Sequence, residues 1–232
     1  MGGIITITVN TVRIKPVAMA MISAGFFLSS CQQAGEDAAT APETPSPEAP
    51  PEAPSPAQRS PAPEDVAAAR AAAVALRDAL FAALTDAMTE GGIERAVAVC
   101  NEAAPEIAAG LSASRDMEIG RTALRVRNPD NAPDAWERAQ LDAFAVRHET
   151  GEAFAGMEHA EVVTQDGAAV FRWMKPIPMG GLCAACHGEN IEPATLAAIR
   201  ALYPEDEATG FAPGALRGAF TVKKALGTPS SL

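Results

Sequence analysis

From Glu64 to Glu90 apolar residues recur at helical spacing, with Val66, Ala69, Ala73, Leu76, Leu80, Leu84 and Met88 on one face, which predicts a long Ala-rich helix. Gly91-Gly92 ends it. A second helix follows in which Ile93, Ala96, Val97, Cys100, Ala104 and Ile107 share a face, with Pro105 expected to kink or loosen its last turns. Met117 to Val126 reads as a strand, closed by the turn signals of Arg127-Asn128-Pro129-Asp130-Asn131. A third helix starts near Pro133 and runs through Trp136, Leu141 and Phe144 toward Thr150-Gly151, with Asp134 and Glu137 in its first turn, where the helix dipole favours acids. Gln165-Asp166-Gly167 then joins two short strands, Ala160–Thr164 and Ala168–Pro176, into a hairpin. On the second of these, Phe171 and Trp173 face one side while Val170, Arg172 and Met174 face the other. A fourth helix over Pro193–Leu202 and a last strand, Ala215–Lys223, complete the pattern, and no internal repeat occurs.

The start of the chain has a different pattern. Met1–Ser30 carries two charges, Arg13 and Lys15, ahead of the apolar run Val17–Leu28, the layout of an export signal. About a dozen apolar residues cannot span a bilayer, which takes ~20. The run ends in Leu28-Ser29-Ser30-Cys31, which resembles a lipobox, so Cys31 is expected to be acylated and to anchor the chain in a membrane; Gln32 after it, in place of Asp, suits the outer rather than the inner membrane. From Gln32 to Pro63 the chain is almost wholly Ala, Pro, Glu, Ser and Thr, a composition that buries too little apolar surface to offset its ordering entropy. The expected layout is therefore a signal peptide (1–30), a disordered tether (31–63) and one domain (64–232) of ordinary size. Without the leader's two cations, 16 Lys plus Arg face 29 Asp plus Glu, a net charge of −13, which argues against nucleic acid as a partner.

Candidate chemistry concentrates in Leu182-Cys183-Ala184-Ala185-Cys186-His187-Gly188. Cys-x-x-Cys-His is the attachment sequence for c-type haem: two thiols on one helical turn reach both vinyl groups of a porphyrin, and the adjoining His is aimed at the iron. A thioredoxin-like pair, a structural disulfide and a zinc knuckle are the other readings. The first would want a βαβ frame that the pattern lacks, and zinc completed by Cys100 with His148 or His159 would have to accept vicinal ligands, Cys186 and His187, on one tetrahedral ion. Haem attachment fits the motif best, and an exported protein is where it takes place in bacteria. Of four cysteines, Cys100 is then left as a lone thiol in an oxidising compartment. Periodicity alone makes it a core residue of its helix.

Several separated motifs point further. Cys100-Asn101-Glu102-Ala103-Ala104-Pro105, Gly120-Arg121-Thr122-Ala123-Leu124-Arg125-Val126-Arg127-Asn128-Pro129, Trp136-Glu137, Lys175-Pro176-Ile177, Cys-Ala-Ala-Cys-His, Tyr203-Pro204 and Gly214-Ala215-Leu216-Arg217-Gly218 occur in the order of a bacterial family of single-haem c domains of unknown function, which this chain resembles over Glu64–Lys223. The family is found alone and as the exported sensing part of histidine kinases. Departures are local, since the family usually has an acid where Ala215 stands and often Tyr where Phe211 stands. The resemblance implies an α+β fold, a PAS-like antiparallel sheet with flanking N-terminal helices, holding one covalent haem c. It also implies that the iron lies between His187 and a Cys of the early helix, here Cys100.

Two functions follow as expectations, neither of them enzymatic. One is a redox or gas sensor, binding a diatomic ligand and signalling to a periplasmic partner; the other is a lipid-anchored electron carrier serving a periplasmic redox protein. The chain is expected to carry neither a transmembrane helix nor a kinase beyond Leu232, so the signal is expected to leave through a partner or through electrons. Haem peroxidase chemistry ranks last, because neither His148 nor His159 sits in a distal motif. Met157, Met174 and Met179 are the rival axial ligands, and the sequence does not choose among Arg121, Arg125, Arg127, Arg172 and Lys175 for the porphyrin propionates.

Overall fold

The computed structural model describes residues 59–227, within the compact unit Glu52–Leu232. The expected leader, the acylation site Cys31 and the tether up to residue 58 lie outside the described residues. Among those described, no helix is long and apolar enough to cross a membrane.

Helix α1 (Pro63–Arg115) contains both expected N-terminal helices. They are separated where expected: Gly91 (φ −147°) and Gly92 (φ 68°, ψ −158°) leave helical geometry, the second adopting a backbone conformation that side chains disfavour. Pro105 lies inside the helix, and the backbone keeps helical dihedral angles through it. The ten residues beyond it stay helical because Ile107, Ala108 and Leu111 pack against the sheet and Ser112 Oγ accepts the Ile119 backbone N–H at 2.9 Å.

The sheet has four antiparallel strands in the order β1 (Glu118–Thr122), β4 (Leu216–Leu226), β3 (Ala168–Pro178) and β2 (His159–Gln165). With its helices this makes the α+β architecture expected. The β2–β3 turn uses positive φ at both Asp166 (51°) and Gly167 (78°), the Asp-Gly hairpin geometry. Pro176 is tolerated in β3 because β2 ends its pairing at Met174, which leaves Pro176 on an edge on that side.

The expected strand Met117–Val126 is much shorter. Pairing with β4 stops at Thr122↔Ala219, and the chain then turns away so that the Val126 carbonyl accepts the Glu207 backbone N–H at 2.9 Å. Residues 123–127 thus serve as a wall for a loop rather than as sheet.

Both faces of the sheet are covered. Phe171, Trp173, Ile119 and Val222 meet Ala69, Ala72, Ala73 and Leu76 of α1. Met174 and Ala219 on the other face meet Leu141 and Phe144 of α2 (Ala135–Glu149), with Phe154 and Met157 beside them. Asp134 and Glu137 do more than complement a dipole, since they form a reciprocal capping box. Glu137 is also buried against the sheet, accepting from Thr221 Oγ1 at 2.7 Å and facing Arg172 at 3.3 Å.

Candidate functional site

The Cys-x-x-Cys-His segment closes one helical turn, α3 (Ala184–His187), with the His187 N–H donating to the Cys183 carbonyl at 2.9 Å and Gly188 N–H to Ala184 at 3.0 Å. A Cβ at position 188 would stand 2.6 Å from the Ala184 carbonyl oxygen, so only glycine lets the chain leave the turn this tightly. Beyond it the loop ending at Phe211 locks on: Gly210 N–H donates to Gly188 at 2.9 Å and Phe211 N–H to His187 at 3.0 Å. Cys183 and Cys186 are both free thiols on this turn. Cys183 lines a cavity, and Cys186 is half-buried beside Val97, Ile199 and Tyr203.

His187 Nδ1 lies 2.6 Å from the Ala208 carbonyl oxygen. A carbonyl only accepts, so Nδ1 carries the proton and the lone pair is left on Nε2, the tautomer that an imidazole needs to bind a metal. Burial, reinforced by the charges of Arg217 and Arg127, pushes the imidazole pKa down to about 2 and keeps the ring neutral. The Ala208 carbonyl is itself held. Asp206 Oδ1 accepts the Ala208 backbone N–H at 3.1 Å and Arg127 Nε at 3.0 Å, while Arg127 Nη2 donates to the Cys186 carbonyl at 2.7 Å. The Arg127 and Asp206 side chains are 7% and 4% exposed. Turn, loop and imidazole thus form one closed hydrogen-bonded ring, in the manner of supporting groups that orient metal-binding histidines. Arg125 clamps the same loop from outside, donating to the Glu207 and Thr209 carbonyls and lying 4.3 Å from the Phe211 ring.

Cys100 of α1 lines the same cavity as this turn. The lining brings together Cys100, Cys183, His187, Tyr203 and the guanidinium-bearing Arg121, Arg127 and Arg217. Burial pushes the Cys100 thiol up, and the same three arginines oppose that shift. Among the described residues no three His, Cys, Asp or Glu side chains converge closely enough to hold an ion. Cys183, the imidazole with its free Nε2 and Cys100 instead border one space, with Cys186 one turn away beside Val97, Ile199 and Tyr203, an arrangement suited to a thiol-attached macrocycle that takes an imidazole and a thiol as iron ligands. That donor set fits haem c.

The rival ligands are elsewhere. Met157 and Met174 are fully buried between sheet and α2 and Met117 lies against the α1 core, while Met179 packs with Ala208 and Phe211 beside Cys183 and Ala184, next to the turn but not among the residues that line the cavity. His148 stacks on Phe154, and His159 lies beside Trp136.

The four domain residues singled out from the sequence, Cys183, Cys186, His187 and Cys100, are thus gathered by the fold around one turn and one cavity. Of the basic residues considered there, Arg121 and Arg127 reach the cavity. Arg172 is engaged with Asp134 on the α2 face, and Lys175 donates to the Ala155 and Met157 carbonyls. Sequence reasoning missed the roles of Asp206, Ala208 and Arg217. A signal was available for Asp206: it follows the Tyr203-Pro204 motif, and three arginines crowded into residues 121–127 of an acidic chain require a counter-charge.

A family model described as Tll0287-like (Tll0287) matches residues 42–224, starting earlier than the Glu64 boundary read from composition. Among solved structures, the crystal structure of the cyanobacterial heme-protein Tll0287 matches with a TM-score of 0.54 at 25% sequence identity, covering 71% of this chain and 97% of that chain. No curated protein matches.

Proposed function

Because this chain belongs to the Tll0287-like family and resembles the solved structure of the cyanobacterial heme-protein Tll0287, we propose that it binds one haem c, attached through Cys183 and Cys186 and ligated by His187 and Cys100, and that it works as a redox or gas sensor. The observation that carries the reading is the single cavity bordered by Cys100, Cys183 and a His187 whose tautomer leaves Nε2 free. Haem c supplies a one-electron couple and a place for a diatomic ligand. The chain's own residues supply the rest: a turn that presents two thiols, a neutral imidazole held by Ala208, and the Cys100 thiol beside three arginines.

Sensing is preferred over electron carriage because Cys100 sits on the long helix α1, beyond its Gly91-Gly92 break, so a ligand change at this position bears on a structural element. A carrier needs no such ligand, and a high reduction potential would favour that alternative. We further propose that export and acylation of Cys31 place the domain in the periplasm, tethered by residues 31–63 to a membrane, the outer one by the Gln32 signal.

The test is made on the exported full-length protein. Acid-acetone extraction is expected to leave haem absorption on the polypeptide, and loss of all colour to the solvent overturns thioether attachment. Cys100→Ala is expected to keep the covalent haem but turn a low-spin ferric spectrum high-spin; an unchanged spectrum and potential overturn the ligand assignment and the preference for a sensor. Cys31→Ser is expected to release the haem protein from the membrane fraction, and continued membrane retention counts against the anchor.

A further inference from the structure

The geometry points to Arg121 and Arg217 as a two-cation seat for the paired carboxylates on one edge of a haem, while Arg127 is committed to the protein itself. This inference rests on the haem c reading and adds to it the site that fixes the macrocycle's rotation in the cavity. It starts from unbalanced charge. Three guanidiniums line one cavity of a chain whose acidic residues outnumber its basic ones, 29 to 18. Arg127 is accounted for, with Nε 3.0 Å and Nη2 3.2 Å from the two carboxylate oxygens of Asp206, and Nη2 also 2.7 Å from the Cys186 carbonyl. Asp206 is thereby used up, since its Oδ1 also accepts from Ala208.

Arg121 and Arg217 have nothing comparable. Among the described residues Arg121 forms no ion pair or side-chain hydrogen bond, although its guanidinium is carried by β1 into the cavity wall beside Cys100. Arg217 makes two long polar contacts, Nη1 to the Arg125 carbonyl at 3.4 Å and Nε to His187 Nδ1 at 3.3 Å, and its guanidinium lies 5.3 Å from the Phe211 ring centroid, none of which supplies a counter-charge. The contact with His187 cannot be a hydrogen bond while Nδ1 donates to Ala208, because that nitrogen then offers no lone pair.

Other basic side chains in the fold show what is missing. Arg172 pairs with Asp134 and Glu137, Lys223 with Asp134, and Lys224 with Asp65. Partly desolvated like charges without counter-ions are costly, and the cost shows as a lowered proton affinity of both groups, through burial first and then, for Arg217, the neighbouring guanidiniums. The ligand that relieves this is dianionic, with two carboxylates that each match a guanidinium fork. A haem attached at Cys183 brings such a pair into the same cavity.

The experiment compares exported wild-type protein with Arg121→Gln, Arg217→Gln, the double variant, and Arg121→Lys and Arg217→Lys. Covalent haem per chain, the propionate bending bands in resonance Raman spectra and the reduction potential are measured at one pH and ionic strength. Each Gln variant is expected to shift the propionate bands and lower the potential, because loss of a nearby cation favours ferric iron, with the larger change in the double variant. Each Lys variant keeps the charge but loses the fork, so it is expected to shift the bands and leave the potential near that of the wild type. Haem-loaded Gln variants with wild-type bands and potential overturn the seat. Where a Gln variant fails to fold, the Lys variants decide, and unmoved bands again overturn it. A wild-type chain without haem removes both the seat and the reading it rests on, whereas haem-loaded wild type with unresponsive variants removes the seat alone.

Discussion

The two ends of this sheet are built on different physics. Where α1 and α2 cover it, stability comes from apolar packing: Trp173, Phe171 and Leu76 on one face and Met174, Leu141 and Phe144 on the other are at most 1% exposed. Charges on the α2 side are balanced, with Arg172 and Lys223 against Asp134 and Glu137. At the other end, where β1 stops at Thr122 and the Cys-x-x-Cys-His turn begins, backbone hydrogen bonds and the Arg127–Asp206 pair hold the loops, and a surplus of cations faces a cavity. One end is complete as a protein; the other is shaped for something it must receive. Variants at the two ends should therefore separate stability from site geometry.

The largest stability effect is expected at the packed end. Trp173→Ala removes a side chain with no exposure and leaves a cavity between α1 and the sheet, a change that costs about 3–5 kcal/mol. Denaturant unfolding of the haem-loaded protein should show this loss, while the spectrum of the molecules that remain folded stays that of the parent. A Trp173→Ala protein with altered axial ligation would mean that the two ends are not separable.

The reverse is expected of Asp206→Asn. The amide keeps the shape but loses the charge that balances Arg127 and weakens the acceptor for both Arg127 Nε and the Ala208 backbone, so about 1.5–3 kcal/mol is lost. Its distinguishing effect is at the site. Once Ala208 is free to move, the hydrogen bond that orients His187 loosens, and the ligand-field spectrum and the reduction potential should change even under conditions where the variant is fully folded. A variant with lowered stability and a parental spectrum would reduce Asp206 to a structural residue.

Legibility in the sequence followed the same division. At the packed end, helix and strand periodicity located α1 and the β2–β3 hairpin closely, as it did helix α4 (Pro193–Leu202), and even the alternation of Phe171 and Trp173 against Met174 was readable, because those positions obey spacing rules. At the cavity end the motif named Cys183, Cys186 and His187, but what holds them is non-local. Arg127 and Asp206 are 79 residues apart, and His187 depends on the carbonyl of Ala208, a backbone group that no side-chain pattern announces. The overlong β1 has the same origin. Met117–Val126 has strand propensity throughout, but after Thr122 the Val126 carbonyl and Arg125 find partners in residues 207–209 instead of in β4. The helix continues past Pro105 because tertiary packing of the turns beyond it outweighs one missing hydrogen bond.

The smallest effect concerns pH and belongs again to the packed end. Burial alone would raise the Asp134 carboxyl, but hydrogen bonds from Arg172, the Glu137 backbone and Lys223 outweigh it and bring the pKa from 3.8 to about 2. A folded-state pKa below the unfolded value means that the unfolded chain takes up the proton first. The stabilisation is therefore fully present above about pH 4 and disappears as the pH falls toward 2. A shift of just under two pKa units would correspond to about 2.5 kcal/mol, but the Asp134 side chain is 37% exposed and solvent screens it, so about 1 kcal/mol is expected. Unfolding free energies of the wild type and of Asp134→Asn, measured between pH 5 and pH 2, should start apart and converge as the acid is protonated, and added salt should narrow the gap at pH 5. Asn keeps the ability to cap α2, so the cap contributes little to the difference. A gap that stays constant across this range would assign the effect to capping geometry rather than charge.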